Sequence, residues 1–158
     1  MYALIPAAGY GTRFLPASKT IPKEMLPVGA KPAIQLIVEE ALAAGADDVV
    51  VVTSPDKPAL KRHFDPDPVW HARCARKPAL DAALTRLEEI GRRIIWVEQT
   101  EQKGLGHAVL QAAEILKFIA ITGSNAQVLS ALEGYAGRNE MFDQGLSELK
   151  AVTVNLAA

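Results

Sequence analysis

Two positive side chains and a pair of glycines near the start of the chain are the residues best suited to chemistry. Gly9 and Gly11 lie in the run Pro6-Ala-Ala-Gly-Tyr-Gly-Thr-Arg13, and Lys23 follows in Ile21-Pro-Lys-Glu-Met-Leu-Pro27. Glycine lets a turn adopt positive φ or brings the backbone close to a ligand, and successive free N–H groups in such a turn can cradle phosphate oxygens. Arg13 can grip a phosphate with two parallel N–H groups, whereas Lys23 acts as a movable point charge. One of each beside a glycine turn suits a polyphosphate that changes shape during a reaction.

Such a loop needs a rigid support. The apolar run Tyr2 to Ile5 ends at Pro6 and small residues, which predicts a buried strand stopping at a tight turn. Two familiar glycine motifs do not fit. A dinucleotide fingerprint would place its third glycine at position 14, where Phe14 stands. Ser18-Lys19-Thr20 imitates the end of a P-loop, but the glycine required before the lysine is Ser18 and the first glycine of the spacing falls on Arg13.

The ordered series Ala7-Ala-Gly-Tyr-Gly-Thr-Arg-Phe-Leu-Pro16, Ile21-Pro-Lys-Glu-Met-Leu-Pro-Val28 and Lys31-Pro-Ala-Ile34 resembles the signature of the sugar nucleotidyltransferases. Within them it is most similar to the bacterial uridylyltransferases that act on UTP and glucose 1-phosphate. The resemblance covers about residues 1–114. It implies a three-layer α/β, Rossmann-like fold and transfer of UMP from UTP to glucose 1-phosphate, releasing pyrophosphate and giving UDP-glucose. It further implies that Arg13 neutralises the leaving pyrophosphate and that Lys23 contacts the reacting phosphates. Ala7, Ala8, Gly9, Gly11 and Thr12 would hold the nucleotide through backbone groups, with Glu24, Gln99 and Gly104 near the nucleoside.

Downstream periodicity supplies the elements of that fold. Pro32 suits the first turn of a helix carrying Ile34, Leu36, Ile37, Val38, Ala41 and Leu42 and stopping at Gly45. Val49 to Val52 is a continuous β-branched run, as in a strand covered on both faces. Strand, helix, strand at this spacing predicts a right-handed βαβ unit and a parallel sheet. Thr53-Ser-Pro-Asp56 reads as a turn and N-cap before a short helix, Lys57 to Phe64. Asp65-Pro-Asp-Pro68 breaks regular structure, and Val69 to Lys77 has no clear period. Pro78 to Ile90 predicts an amphipathic helix with Leu80, Ala83, Leu84, Leu87 and Ile90 on one face and Gly91 ending it. Arg93 to Gln99 reads as a third strand.

Val97-Glu-Gln99 and Lys103-Gly-Leu-Gly-His-Ala-Val109 look like the family's uridine-recognition segment. A primary amide such as Gln99 offers both donor and acceptor to the uracil imide edge, and Gly104 admits backbone polar groups to the same edge. His107 is expected to pack at the start of a helix running to Leu116 rather than to catalyse. His63 and His71 lack metal-ligand spacing and are expected on the surface or in packing. The basic residues Lys61, Arg62, Arg73, Arg76 and Lys77 read as a solvated face.

Phe118-Ile-Ala-Ile-Thr-Gly-Ser-Asn125 reads as another short strand ending at a turn. In the family an aspartate at that turn holds Mg2+; here the positions carry Ser124 and Asn125, so the magnesium site is expected to be impaired, because a hard divalent cation normally needs a carboxylate. None of the family's later motifs follows. Helical patterns over Gln127 to Leu132 and Glu140 to Leu156 suggest an atypical tail, 126–158, after a nucleotide-binding domain, 1–125. Within it Leu146-Ser-Glu-Leu-Lys-Ala-Val-Thr-Val-Asn-Leu156 resembles a helix of the class II fumarase and aspartase superfamily, without its catalytic signature. The chain is thus expected to be a truncated or impaired transferase with little activity alone. The alternative is a non-catalytic nucleotide-binding or interaction domain, or a non-functional chimeric fragment.

Composition agrees with a folded domain. The chain has 158 residues, 49% of them apolar, enough for one core. Seventeen basic against eighteen acidic residues argue against a nucleic-acid or anionic-membrane surface, so any polyanion must be held by local groups. Cys74 is the sole cysteine, which fits a reducing compartment, and no apolar stretch reaches membrane-spanning length. A cytoplasmic protein taking small-molecule partners is expected, and an open sheet edge would favour a homo-oligomer.

Overall fold

The computed structural model describes residues 1–112. Its centre is a three-stranded parallel sheet in the order β1-β4-β5, formed by β1 (Tyr2–Pro6), β4 (Asp48–Thr53) and β5 (Ile94–Glu98). A two-stranded hairpin, β2 (Pro27–Val28) with β3 (Lys31–Pro32), stands apart from it. Register aligns Pro6 with Val52 and Val52 with Val97, so all three strands end level with one another. The loops that follow β1, β4 and β5 therefore share one edge of the sheet, the edge at which ligands of open α/β sheets bind.

The β-branched run of β4 is buried on both faces, as its sequence predicts. Val49 and Val51 pack with Ile34 and Val38 of α1 (Ala33–Ala43), with Leu60 and Phe64 of α2 (Pro58–Phe64), and against Leu87 and Ile90 of α4 (Pro78–Gly91). Val50 and Val52 pack on the other face with Val97, Ala108 and Ala112, the last two from a helix over residues 105–112, here α5. Alternation with period two sends successive valines to opposite layers, and that produces the three-layer α/β arrangement. Burying each valine contributes roughly 1.5–3 kcal/mol, so this one strand ties both layers together.

Four local readings need correction. The turn Thr53 to Asp56 does not cap α2: its N-cap position is Lys57, with no side-chain cap, and the Ser54 hydroxyl instead accepts from the Asp56 N–H at 3.3 Å. The stretch after Asp65-Pro-Asp is a helix, α3 (Pro68–Cys74), because the Asp67 carboxylate accepts from the N–H groups of Val69 and Trp70 and Pro68 fills the first turn. On α4, Leu80 is half-exposed and Ala83 is exposed, so the buried stripe is narrower than the periodicity suggests. Gly91 belongs to α4, and it is glycine for space: a Cβ there would lie 2.5 Å from the Phe64 carbonyl oxygen.

Candidate functional site

The loop after β1 is shaped by what its carbonyls do. The N–H of Ala7 still donates to Val52 at 2.7 Å, continuing the sheet, and beyond it the chain leaves the ladder. The carbonyls of Ala7 and Gly9 both accept from the Lys57 ammonium, at 2.8 and 2.6 Å. The Gly11 carbonyl accepts from the Ser18 hydroxyl at 2.8 Å and from the Phe14 N–H at 2.9 Å. In a trans peptide the C=O and the following N–H point in opposite directions. Holding the carbonyls of residues 7, 9 and 11 therefore turns the N–H groups of Ala8, Tyr10 and Thr12 the other way. Among the described residues, no N–H from Ala8 to Arg13 finds a protein acceptor.

Gly11 has φ of 68°, so the turn uses the conformational freedom expected of it. Its missing side chain also makes room: a Cβ there would meet Lys23 Cδ at 3.1 Å. Lys23 thus lies across the loop. Its Nζ sits 3.0 Å from Glu24 Oε1, and the ammonium has donors left for a further acceptor. Arg13 is exposed and makes no ion pair among the described residues, whereas Ala7 and Ala8 are buried and Gly9 and Thr12 are exposed.

Lys57 is the residue that sequence reasoning missed. It is 7% exposed, and besides the two loop carbonyls its Nζ reaches both oxygens of Glu24 at 3.0 Å. Burial holds its pKa below the ordinary 10.5, with the Glu24 carboxylate acting in the opposite sense. Glu24, 8% exposed, is therefore shared between the ammonium groups of Lys57 and Lys23. The only signal in the sequence is position: Lys57 stands just past the end of the central strand and directly before Pro58.

The second cluster lies at the end of β5. Gln99 is 2% exposed, and its N–H extends the sheet to the Thr53 carbonyl at 2.7 Å. Its amide nitrogen donates to the Gly104 carbonyl at 3.3 Å and to His107 Nδ1 at 2.8 Å. Gln99 and Gly104 are thus brought together, with Gly104 at φ of 91°, and His107 braces the amide from the first turn of α5. The donor end of Gln99 is engaged within the protein, so its amide oxygen and the nearby backbone are the groups able to meet a base.

The other titratable groups have structural partners. His63 Nε2 meets the Gln35 side-chain oxygen at 3.0 Å, and burial lowers its pKa. His71 bridges Asp81 at 2.6 Å and Glu88 at 2.8 Å, which raises its pKa, Asp81 contributing most. Of the basic residues, Lys61 pairs with Asp65 and Arg73 lies over the Trp70 ring, 5.0 Å from its centroid.

The family model for nucleotidyl transferases matches residues 2–136 of the chain. The chain belongs to the nucleotidyl transferase family. It is 46% identical over 115 residues to UTP--glucose-1-phosphate uridylyltransferase 1 of Staphylococcus saprophyticus, an alignment that takes in 72% of this chain and 40% of that protein. The Bacillus subtilis enzyme of the same name is 46% identical over 112 residues, covering 68% of this chain and 37% of the relative. Among solved structures, a UDP-glucose pyrophosphorylase from Acinetobacter baumannii superposes with a TM-score of 0.65 at 40% identity, over 73% of this chain and 41% of the other. The UTP-bound form of that enzyme gives the same values, and a UDP-glucose pyrophosphorylase complexed with UDP-glucose gives 0.58 at 42% identity. This chain spans about two fifths of the length of the relatives it matches. The family and its α/β fold are therefore those that the opening motifs imply.

Among the described residues no three or more His, Cys, Asp or Glu side chains come together as a group that could hold a metal ion. Ser124 and Asn125 lie outside the described residues, as do the expected continuation of a helix to Leu116, the strand expected at Phe118 to Asn125, the 125/126 domain boundary and the tail. No helix among the described residues is long and apolar enough to cross a membrane.

Proposed function

We propose that this chain binds UTP at the shared carboxyl edge of its sheet and supplies the nucleotide half of uridylyl transfer to glucose 1-phosphate. The observation that carries the reading is the loop after β1, whose carbonyls at residues 7, 9 and 11 are drawn inward while its N–H groups have no acceptor among the described residues. Such a run of N–H groups is an anion-binding concavity. Arg13, exposed beside it, and Lys23, lying across it, bring the charge a triphosphate requires. Gln99 and Gly104 stand two strands away on the same edge and are the groups we assign to the base.

In the reaction, a phosphate oxygen of glucose 1-phosphate attacks the α-phosphorus of UTP. The new O–P bond forms as the bond to the β-phosphate oxygen breaks, and pyrophosphate leaves with the electron pair. No covalent enzyme intermediate is needed, so the protein contributes alignment and charge neutralisation. Ala7 to Thr12 hold the phosphates through backbone N–H groups, Lys23 contacts the reacting phosphates and Arg13 neutralises the departing pyrophosphate. The similarity to uridylyltransferases over this segment, and a relative solved with UTP bound, support the choice of nucleotide. No described residue is assigned to the sugar, and no step is routed through a metal.

Titration calorimetry of the full chain with UTP and with ATP, with and without magnesium, tests the reading. Tighter binding of UTP than of ATP is expected. Equal affinity for the two would leave a phosphate site without uracil recognition, and no binding of either would overturn the reading.

A further inference from the structure

This inference rests on the nucleotide reading above and concerns a residue that touches no nucleotide. We propose that Lys57 is a positioning residue that sets the phosphate loop, with Glu24 as its counter-ion rather than a ligand of the nucleoside.

The geometry is specific. Lys57 lies 50 residues from Ala7 in sequence, yet its ammonium donates to the inward carbonyls of both Ala7 and Gly9, at 2.8 and 2.6 Å. Because a trans peptide opposes its C=O and N–H, each of these two bonds aims one N–H, that of Ala8 or that of Tyr10, away from the lysine. An ammonium has three donors and no acceptor, so it can gather two carbonyls and a carboxylate at one point. At 7% exposure it is covered by the loop it holds and stands behind the backbone, not in front of it.

Glu24 completes the arrangement. Both its oxygens lie 3.0 Å from Lys57, and one also lies 3.0 Å from Lys23. Without that carboxylate two ammonium groups would face each other, one of them buried, and Lys23 would lose the contact that steers it over Gly11. The triad Lys57–Glu24–Lys23 thus links the end of β4 to both halves of the site: it shapes the loop from behind and places a mobile charge in front.

A loop-setting residue and a merely stabilising one differ in which part of the nucleotide they affect. Affinities of the full chain for UTP and for uridine are measured by NMR titration on the wild type, Lys57→Met and Glu24→Gln. Lys57→Met should weaken UTP about tenfold to hundredfold, the loss expected for misdirected charge-assisted hydrogen bonds, while uridine changes by less than about twofold. Glu24→Gln should also lose affinity for UTP alone, by a smaller factor. Should Lys57→Met fail to fold, Lys57→Arg decides by the same comparison, since it keeps the charge but replaces the compact ammonium with a planar guanidinium. Equal losses for UTP and uridine in a folded variant, or no loss at all, would overturn the positioning role. A wild-type chain that binds uridine or UTP not at all would instead sink the nucleotide reading, and the role of Lys57 with it.

Discussion

The two ends of the sheet solve one problem with different cations. At the amino end, the Arg93 guanidinium gathers the carbonyls of Ala46 at 2.6 Å and Asp47 at 2.6 and 2.8 Å, fastening the turn before β4 to the start of β5. At the carboxyl end, the Lys57 ammonium gathers the carbonyls of Ala7 and Gly9. Arg93 is exposed and its partners are carbonyls; the carboxylate of Asp47 pairs with the N-terminal ammonium, which lowers its pKa. Lys57 is buried and needs Glu24 beside it. A cation that only stitches a turn can stay in water, where its contacts are cheap and replaceable. Lys57, behind the loop proposed to hold the phosphates, is buried, and burying a charge is tolerable only when it is paired and hydrogen-bonded.

Removing a partner at each end should expose that difference. Glu24→Ala leaves Lys57 buried with carbonyls alone, and breaking a buried pair in this way typically costs about 3–5 kcal/mol. A clear drop in the urea midpoint together with weaker UTP binding is the expected result. Arg93→Ala should lower stability by about 1–2 kcal/mol, as for a few hydrogen bonds to a charged group on the surface, with UTP affinity unchanged. If Arg93→Ala also weakened UTP binding, the separation of the two ends would fail.

The smallest effect is one of pH, and it comes from neither end. His71 joins α3 to α4 through Asp81 and Glu88, and these bonds raise its pKa above the ordinary 6.5. A raised folded pKa means that the stabilisation is fully present below about pH 6.5 and fades as pH climbs through the folded value. The difference in melting temperature between the wild type and His71→Gln should therefore shrink on going from about pH 6 to about pH 8.5. UTP affinity should be indifferent to this substitution. His63, whose pKa burial lowers, has the opposite sign: its share of stability is lost on acidification.

The contrast between the ends also explains what could be read from the sequence. Val49 to Val52 declared a strand covered on both faces because β-branched residues ran on without alternation, and packing on both layers follows from that. The glycine loop was legible because Gly11 must take positive φ beside Lys23. The helix α3 was written in Asp67-Pro68 as a cap and a first-turn proline, but two prolines in close succession read more strongly as a break. Lys57 could not be found this way. A lysine before a helix is ordinarily solvated, and only the tertiary fold brings it under residues 7 and 9 and against Glu24. Gln99 was legible as a candidate from its spacing to Gly104, while the brace from His107 depended on how α5 packs on the sheet.

If the carboxyl end of the sheet is a shaped site and the amino end a structural fastening, UTP should protect the first and not the second. Hydrogen exchange of the full chain with and without UTP tests it most directly, because exchange reports each backbone N–H separately. UTP should slow exchange in residues 7–13, with a second region of protection at 99–107, and leave residues 44–48 and 91–93 unchanged. Protection centred on the Arg93 end, or a loop whose N–H groups exchange equally fast with UTP bound, would contradict it.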